Sequence, residues 1–98
     1  MVQNGVIRCT FQMEKKHPNL IKIGKRIRAL RKAQDYSQEE FASAAQLGRS
    51  YTGRIERGEQ NISMQSLIQI ALTLKVEVGK LFPPLHELRI PFKKLNQN

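Results

Sequence analysis

The chain has a single cysteine, Cys9, so it can close no internal disulfide and offers no set of thiolates for zinc. Its two histidines, His17 and His86, stand far apart in sequence and read as solvated surface residues rather than metal ligands. No apolar run approaches the roughly 20 residues that cross a bilayer. The N-terminus, with Asn4 and Gly5 ahead of a short VIRCTF, lacks the layout of a signal peptide. No nucleophile stands beside a base, no pair of carboxylates is spaced for acid–base work, and no glycine loop is built to cradle a phosphate. The expectation is a cytoplasmic protein that is not an enzyme, needs no metal or other cofactor, and has no membrane partner.

Acidic residues are also scarce: eight, against seventeen lysines and arginines, which gives a net charge of +9. The imbalance is local. Residues 1–32 carry nine basic side chains against Glu14 alone, whereas residues 33–82 carry five against six acids. A polyanionic partner fits that surplus, but charge alone does not choose between nucleic acid, an anionic membrane and mere solubility. Ninety-eight residues with 40% hydrophobic and 26% charged side chains suit one small globular domain with polar ends.

What is present is helical periodicity. Ile23, Ile27 and Leu30 recur at i, i+4 and i+7 with Lys22, Lys25, Arg26, Arg28, Arg31 and Lys32 between them, which predicts an amphipathic helix from about Leu20 to Ala33. SQEEFASAA follows, in which Ser37 and Glu40 are spaced as a capping box and Phe41, Ala42 and Ala45 form a narrow apolar stripe. A tight connection, Gln46 to Gly48, leads into LGRSYTGRIERGE. Wound at about 100° per residue, this segment aligns Leu47, Tyr51 and Ile55, with Thr52 beside them, and gathers Arg49, Ser50, Gly53, Arg54 and Arg57 on the other side. It has a thin buried face and a broad cationic one.

Gly58 is the residue best suited to end that helix in a left-handed conformation, and Ser63 caps a fourth helix with Met64, Leu67, Ile70, Ala71 and Leu74 on its core face. A fifth short helix, about Val78 to Phe82, precedes Pro83 and Pro84. No strand is expected in the core.

The run SQEEFASAAQLGRSYTGRIERGEQNISMQSLIQIALTLKVEVGKLF resembles the phage-repressor type of helix-turn-helix domain, and the likeness extends over residues 21–82. SQEEFA, IERGE and LxxIAxxLxV stand at that family's spacing. RSY and IERGxxNxS further resemble the controller proteins of restriction-modification systems. The resemblance implies an all-α, five-helix domain at residues 19–82, an N-terminal arm at 1–18 and a C-terminal tail at 83–98. It implies a sequence-specific, dimeric transcriptional regulator that binds a two-fold symmetric operator in double-stranded DNA. Antitoxins and phage repressors share the pattern, and a protein-interaction module that has lost DNA binding is the competing class.

Carried over residue by residue, the likeness places Arg49, Ser50 and Arg54 where base edges are read, an arginine there pairing with guanine O6 and N7. Tyr51 either packs its ring and sends its hydroxyl to a phosphate or the groove floor, or is a plain core residue, and Gln38 offers a backbone N–H and a side-chain amide to a phosphate at the start of the second helix. Arg57, Asn61 and Ser63 are the other expected backbone contacts. Glu56, out of place beside phosphates, pairs in the resemblance with an arginine of the first helix, here Arg31. Asp35, Glu39 and Glu40 form an acidic cluster whose counterpart in some relatives meets RNA polymerase.

Three positions depart from the pattern: Gln46 where the turn has glycine, Thr52 where an aliphatic residue is usual, and Gly53 inside a helix. If left-handed, Gln46 costs about 1 kcal/mol unless Gly48 relaxes it. The Thr52 hydroxyl is expected to bond back to the preceding turn. Gly53 reads as a tolerated gap or as room for a thymine methyl. Ile68, Leu72, Phe82 and Leu85 supply more apolar surface than one copy needs and are the expected dimer interface. At the ends, alternation through Ile7, Cys9 and Phe11 and through Leu88, Ile90 and Phe92 permits short strands, although flexible arms are the simpler reading, and Met13 is an alternative start.

Overall fold

The computed structural model describes residues 17–89. α1, Pro18–Ala33, begins two residues ahead of the periodic pattern because two local devices favour it: His17 Nδ1 accepts the Asn19 N–H at 3.0 Å, and Pro18 brings a helical φ to the first turn. It ends where Asp35 turns left-handed (φ 61°) and the Tyr36 N–H reaches back to the Arg31 carbonyl. α2, Gln38–Ala45, has both halves of its capping box: Glu40 N–H donates to Ser37 Oγ at 3.0 Å, and Ser37 N–H to Glu40 Oε1 at 2.9 Å. That backbone donor holds the Glu40 carboxyl below its ordinary pKa.

Gln46 is left-handed (φ 59°), and Gly48 is extended, so the glycine does not relieve it. The Leu47 N–H bonds the Ala42 carbonyl at 2.9 Å and closes the turn. α3, Arg49–Glu56, follows, with Thr52 Oγ1 donating to the Gly48 carbonyl at 2.9 Å. Gly58 (φ 77°) ends it as expected, and an added Cβ there would meet Ile21. α4, Met64–Leu74, is capped by Ser63 Oγ, which accepts the Ser66 N–H at 3.0 Å. The fifth element is a single 3-10 turn, Val78–Leu81, and a second such turn spans Leu85–Glu87. Among the described residues there is no strand.

Ile23 and Ile27 of α1, Phe41 of α2, Ile55 of α3, Leu67, Ile70, Ala71 and Leu74 of α4, and Leu81 form one core. Each fully buried Ile or Leu stabilises it by about 1.5–3 kcal/mol. One expectation is corrected. Met64 is 73% exposed, because the first turn of α4 projects beyond the core and Ser66 takes the inward position. Phe82 packs half-buried against the core, since the chain leaves the 3-10 turn in an extended conformation that returns the ring to it.

Packing continues past residue 82. Pro83 is buried, Lys22 Nζ donates to the Glu87 carbonyl at 2.9 Å, and Asn19 pairs with the Arg89 backbone in both directions, at 2.7 and 2.9 Å. The short strand that the alternation through Leu88 permits is not formed at Leu88 or Arg89. Its remainder, the one through Ile7 and the alternative start at Met13 lie outside the described residues.

Candidate nucleic-acid interface

α3 reaches its place through close contact with α1. A Cβ on Gly24 would lie 2.3 Å from the Ile55 carbonyl oxygen and 2.8 Å from that of Glu56, so only glycine lets the helices cross at this distance. The sequence reading missed this, although a glycine within a strongly helical pattern is the available signal. α2 packs on the other side of α3 through Phe41, and Gln69 of α4 ties α2 down by donating to the Ala45 carbonyl at 2.8 Å.

Behind the exposed face lies a buried polar network. Arg31 holds Glu56 with two parallel hydrogen bonds, Nε to Oε2 at 2.7 Å and Nη2 to Oε1 at 3.0 Å, and its Nη1 donates to the Tyr36 carbonyl at 2.8 Å. Gln38 Nε2 adds a third donor to Glu56 at 3.1 Å. The Gln38 side-chain amide nitrogen is therefore engaged inward, with its carbonyl oxygen toward Gly53, while its backbone N–H stands in the first turn of α2.

In front of this network, Gln38, Arg49, Ser50, Arg54 and Arg57 line one shallow depression with Gly53 at its floor, and none of these lining residues is acidic. The three residues expected to read bases are all there. Carboxylates stand at the rim instead: Glu39 lies 3.8 Å from Arg49, and Glu59 lies 3.2 Å from Arg57 Nε. Exposed pairs of this kind are worth about 0–1 kcal/mol, little enough for a phosphate or a base edge to displace them. Arg54 Nε donates to Gln60 Oε1 at 3.0 Å, a partner the sequence reading did not name.

Other expected contacts lie elsewhere. The Tyr51 ring packs against the core and its hydroxyl donates to Ser66 Oγ at 3.0 Å while receiving the Ser63 N–H at 3.4 Å. It fastens α3 to α4 rather than reaching outward. Ser63 Oγ is likewise occupied, donating to Ser66 Oγ at 2.8 Å. Asn61 is exposed in the loop after α3, and Asp35 is exposed in the turn after α1.

Residues 27–81, which contain this short cationic helix and the elements that hold it, match a family model, the helix-turn-helix. The chain belongs to the helix-turn-helix family. The control protein C.MunI of a Mycoplasma species is 35% identical over 68 residues, covering 68% of this chain and 92% of its own length. Among solved structures, the restriction-modification controller protein C.AhdI from Aeromonas hydrophila superposes with a TM-score of 0.66 at 41% identity, over 67% of this chain and all of its own. SinR of Bacillus subtilis, solved in complex with DNA, gives a TM-score of 0.59 at 42% identity, over 60% of this chain and 95% of its own. In helix-turn-helix terms α2 and α3 are the paired helices, and α3 is the recognition helix. Among the described residues no helix is long and apolar enough to cross a membrane.

Proposed function

We propose that this helix-turn-helix protein is a dimeric, sequence-specific DNA-binding regulator of transcription, and specifically a controller of a restriction-modification system acting in the cytoplasm. The observation that carries the reading is the depression on α3, where three arginines, a serine and a glutamine carbonyl converge without a lining carboxylate. Such a surface offers donors to guanine O6 and N7 and to phosphate oxygens, and an acceptor to an exocyclic amine. Arg49 and Ser50, at the leading end of α3, approach base edges first, with Arg54 on the same side. Asn61, in the loop that follows, is suited to the sugar-phosphate backbone.

Dimerisation supplies the second half-site. Ile68 and Leu72 are 41% and 71% exposed at four-residue spacing, and Met64 extends the same stripe. A second copy seated there covers apolar surface that one chain leaves wet, and places two recognition helices about one DNA turn, roughly 34 Å, apart. Leu85, 84% exposed, is a further member of this surface. Asp35 and Glu39 form an exposed acidic edge beside the recognition helix, suited to the RNA polymerase contact.

The reading is tested by fluorescence anisotropy with a labelled duplex at several salt concentrations. Affinity is expected to fall with log-log slope of about 0.9 for each phosphate neutralised. Weak binding that ignores salt selects the protein-interaction class instead. Neighbouring genes for a methyltransferase and an endonuclease, rather than for a toxin or a phage, support the controller assignment.

A further inference from the structure

Gly53 is unlike the other constrained glycines of the fold. Gly24 is required because a Cβ would strike backbone carbonyls, and Gly58 because its φ is positive. Gly53 has neither reason: its backbone is ordinary helix, and the nearest atom to an added Cβ is Arg57 Nη1, at 3.2 Å. The end of a flexible side chain could move aside, and alanine is the better helix former. Packing alone therefore does not call for glycine here.

The arrangement above Gly53 supplies the reason. Arg57 follows Gly53 by four residues, so the two share one strip of the helix surface, and side chains lean toward the helix N-terminus. The Arg57 guanidinium accordingly folds back, with Nη1 over Gly53 and Nε held by Glu59 at 3.2 Å. Gln38 Oε1 comes within 3.7 Å of the same added-Cβ position, turned there because its Nε2 is bonded to Glu56. The space a side chain at residue 53 would fill is thus shared by a donor from α3's end and an acceptor from α2's start, inside the depression that also holds Arg49, Ser50 and Arg54.

Resting on the DNA-binding reading, we propose that Arg57 is a base-reading residue rather than a backbone contact, and that Gly53 determines specificity by keeping open the space from which Arg57 reaches the major groove. Arg57 has the planar five-donor fork that pairs with guanine O6 and N7 through two parallel hydrogen bonds, a fixed geometry that the single ammonium of lysine does not reproduce. A side chain at residue 53 displaces that fork without disturbing the fold.

The full chain is used to select from a pool of duplexes with a randomised centre, and the selected duplex and its single-base-pair variants are then titrated with wild type, Gly53→Ala, Arg57→Lys and Arg57→Ala. The expected result is that Arg57→Lys and Arg57→Ala lose about 5- to 150-fold on the selected duplex and lose the preference at one base pair of each half-site. Gly53→Ala loses the preference at the same base pair while melting at or above the wild-type temperature, and adds nothing in the Arg57→Ala background. Retention of the base-pair ranking by Arg57→Ala identifies a phosphate clamp and overturns the proposal, as does an equal loss on every duplex for both Arg57 variants. Unchanged selection by Gly53→Ala overturns the role of the glycine. A wild-type chain that enriches no sequence sinks the DNA-reading function itself, an outcome distinct from all of these.

Discussion

Arg31 and Glu56, twenty-five residues apart, meet as a bidentate pair with side chains only 8% and 2% exposed. The pair locks the first helix to the end of the recognition helix, and through Gln38 Nε2 it also orients the start of α2. A buried pair contributes less than its geometry suggests, because both charges have left water, yet removing one partner strands the other. Arg31→Ala and Glu56→Ala are each expected to cost about 3–5 kcal/mol, and the double variant less than their sum. Urea unfolding of the four proteins in a double-mutant cycle checks this, and additive losses would show that the residues are not coupled.

Gly24→Ala tests the helix crossing. The new methyl group would meet two carbonyl oxygens of α3 that cannot move independently of the helix. The expected loss is about 1–3 kcal/mol or more, which outweighs a gain of roughly 1 kcal/mol in helix propensity. Thermal unfolding should rank Gly24→Ala below wild type and Gly53→Ala at or above it. The reverse order would mean that α1 and α3 are not in this close contact.

Arg49 separates reading from holding. Its side chain is 69% exposed at the leading end of α3, and its rim contact with Glu39 at 3.8 Å is readily exchanged for a base edge. Arg49→Ala is expected to lose about 1–3 kcal/mol on the selected operator and little on a scrambled duplex, measured by paired anisotropy titrations. Equal losses on both would make Arg49 a backbone contact.

Leu72 tests the second copy. At 71% exposure it adds little to the monomer core, so Leu72→Glu should leave the fold intact and place charges in an apolar interface. Sedimentation at micromolar concentration is expected to show twice the chain mass for wild type and a shift toward one chain mass for Leu72→Glu. A wild-type chain that stays monomeric both alone and on DNA would remove the two-half-site arrangement.

Much of this protein is determined by residues that act within a turn or two of themselves. Ser37 and Glu40 start α2, Ser63 starts α4, Gly58 ends α3, and the i, i+4 recurrence of Ile23 and Ile27 makes α1 amphipathic, so the number and order of the helices are readable along the chain. The clustering of Arg49, Ser50, Arg54 and Arg57 on one side of α3 is readable for the same reason. Local pattern could not say where a long polar side chain would end. Tyr51 turns its hydroxyl to Ser66, Gln38 spends its amide nitrogen on Glu56, and Arg57 folds back over Gly53, because each finds its partner on another helix or at another turn. Met64 is exposed and Phe82 half-buried because burial at a helix end depends on where the neighbouring element stops. Gly24 shows the limit most directly: its sequence neighbours mark a helix interior, and only the approach of the Ile55 and Glu56 carbonyls, brought there by the packing of α1 on α3, makes glycine necessary.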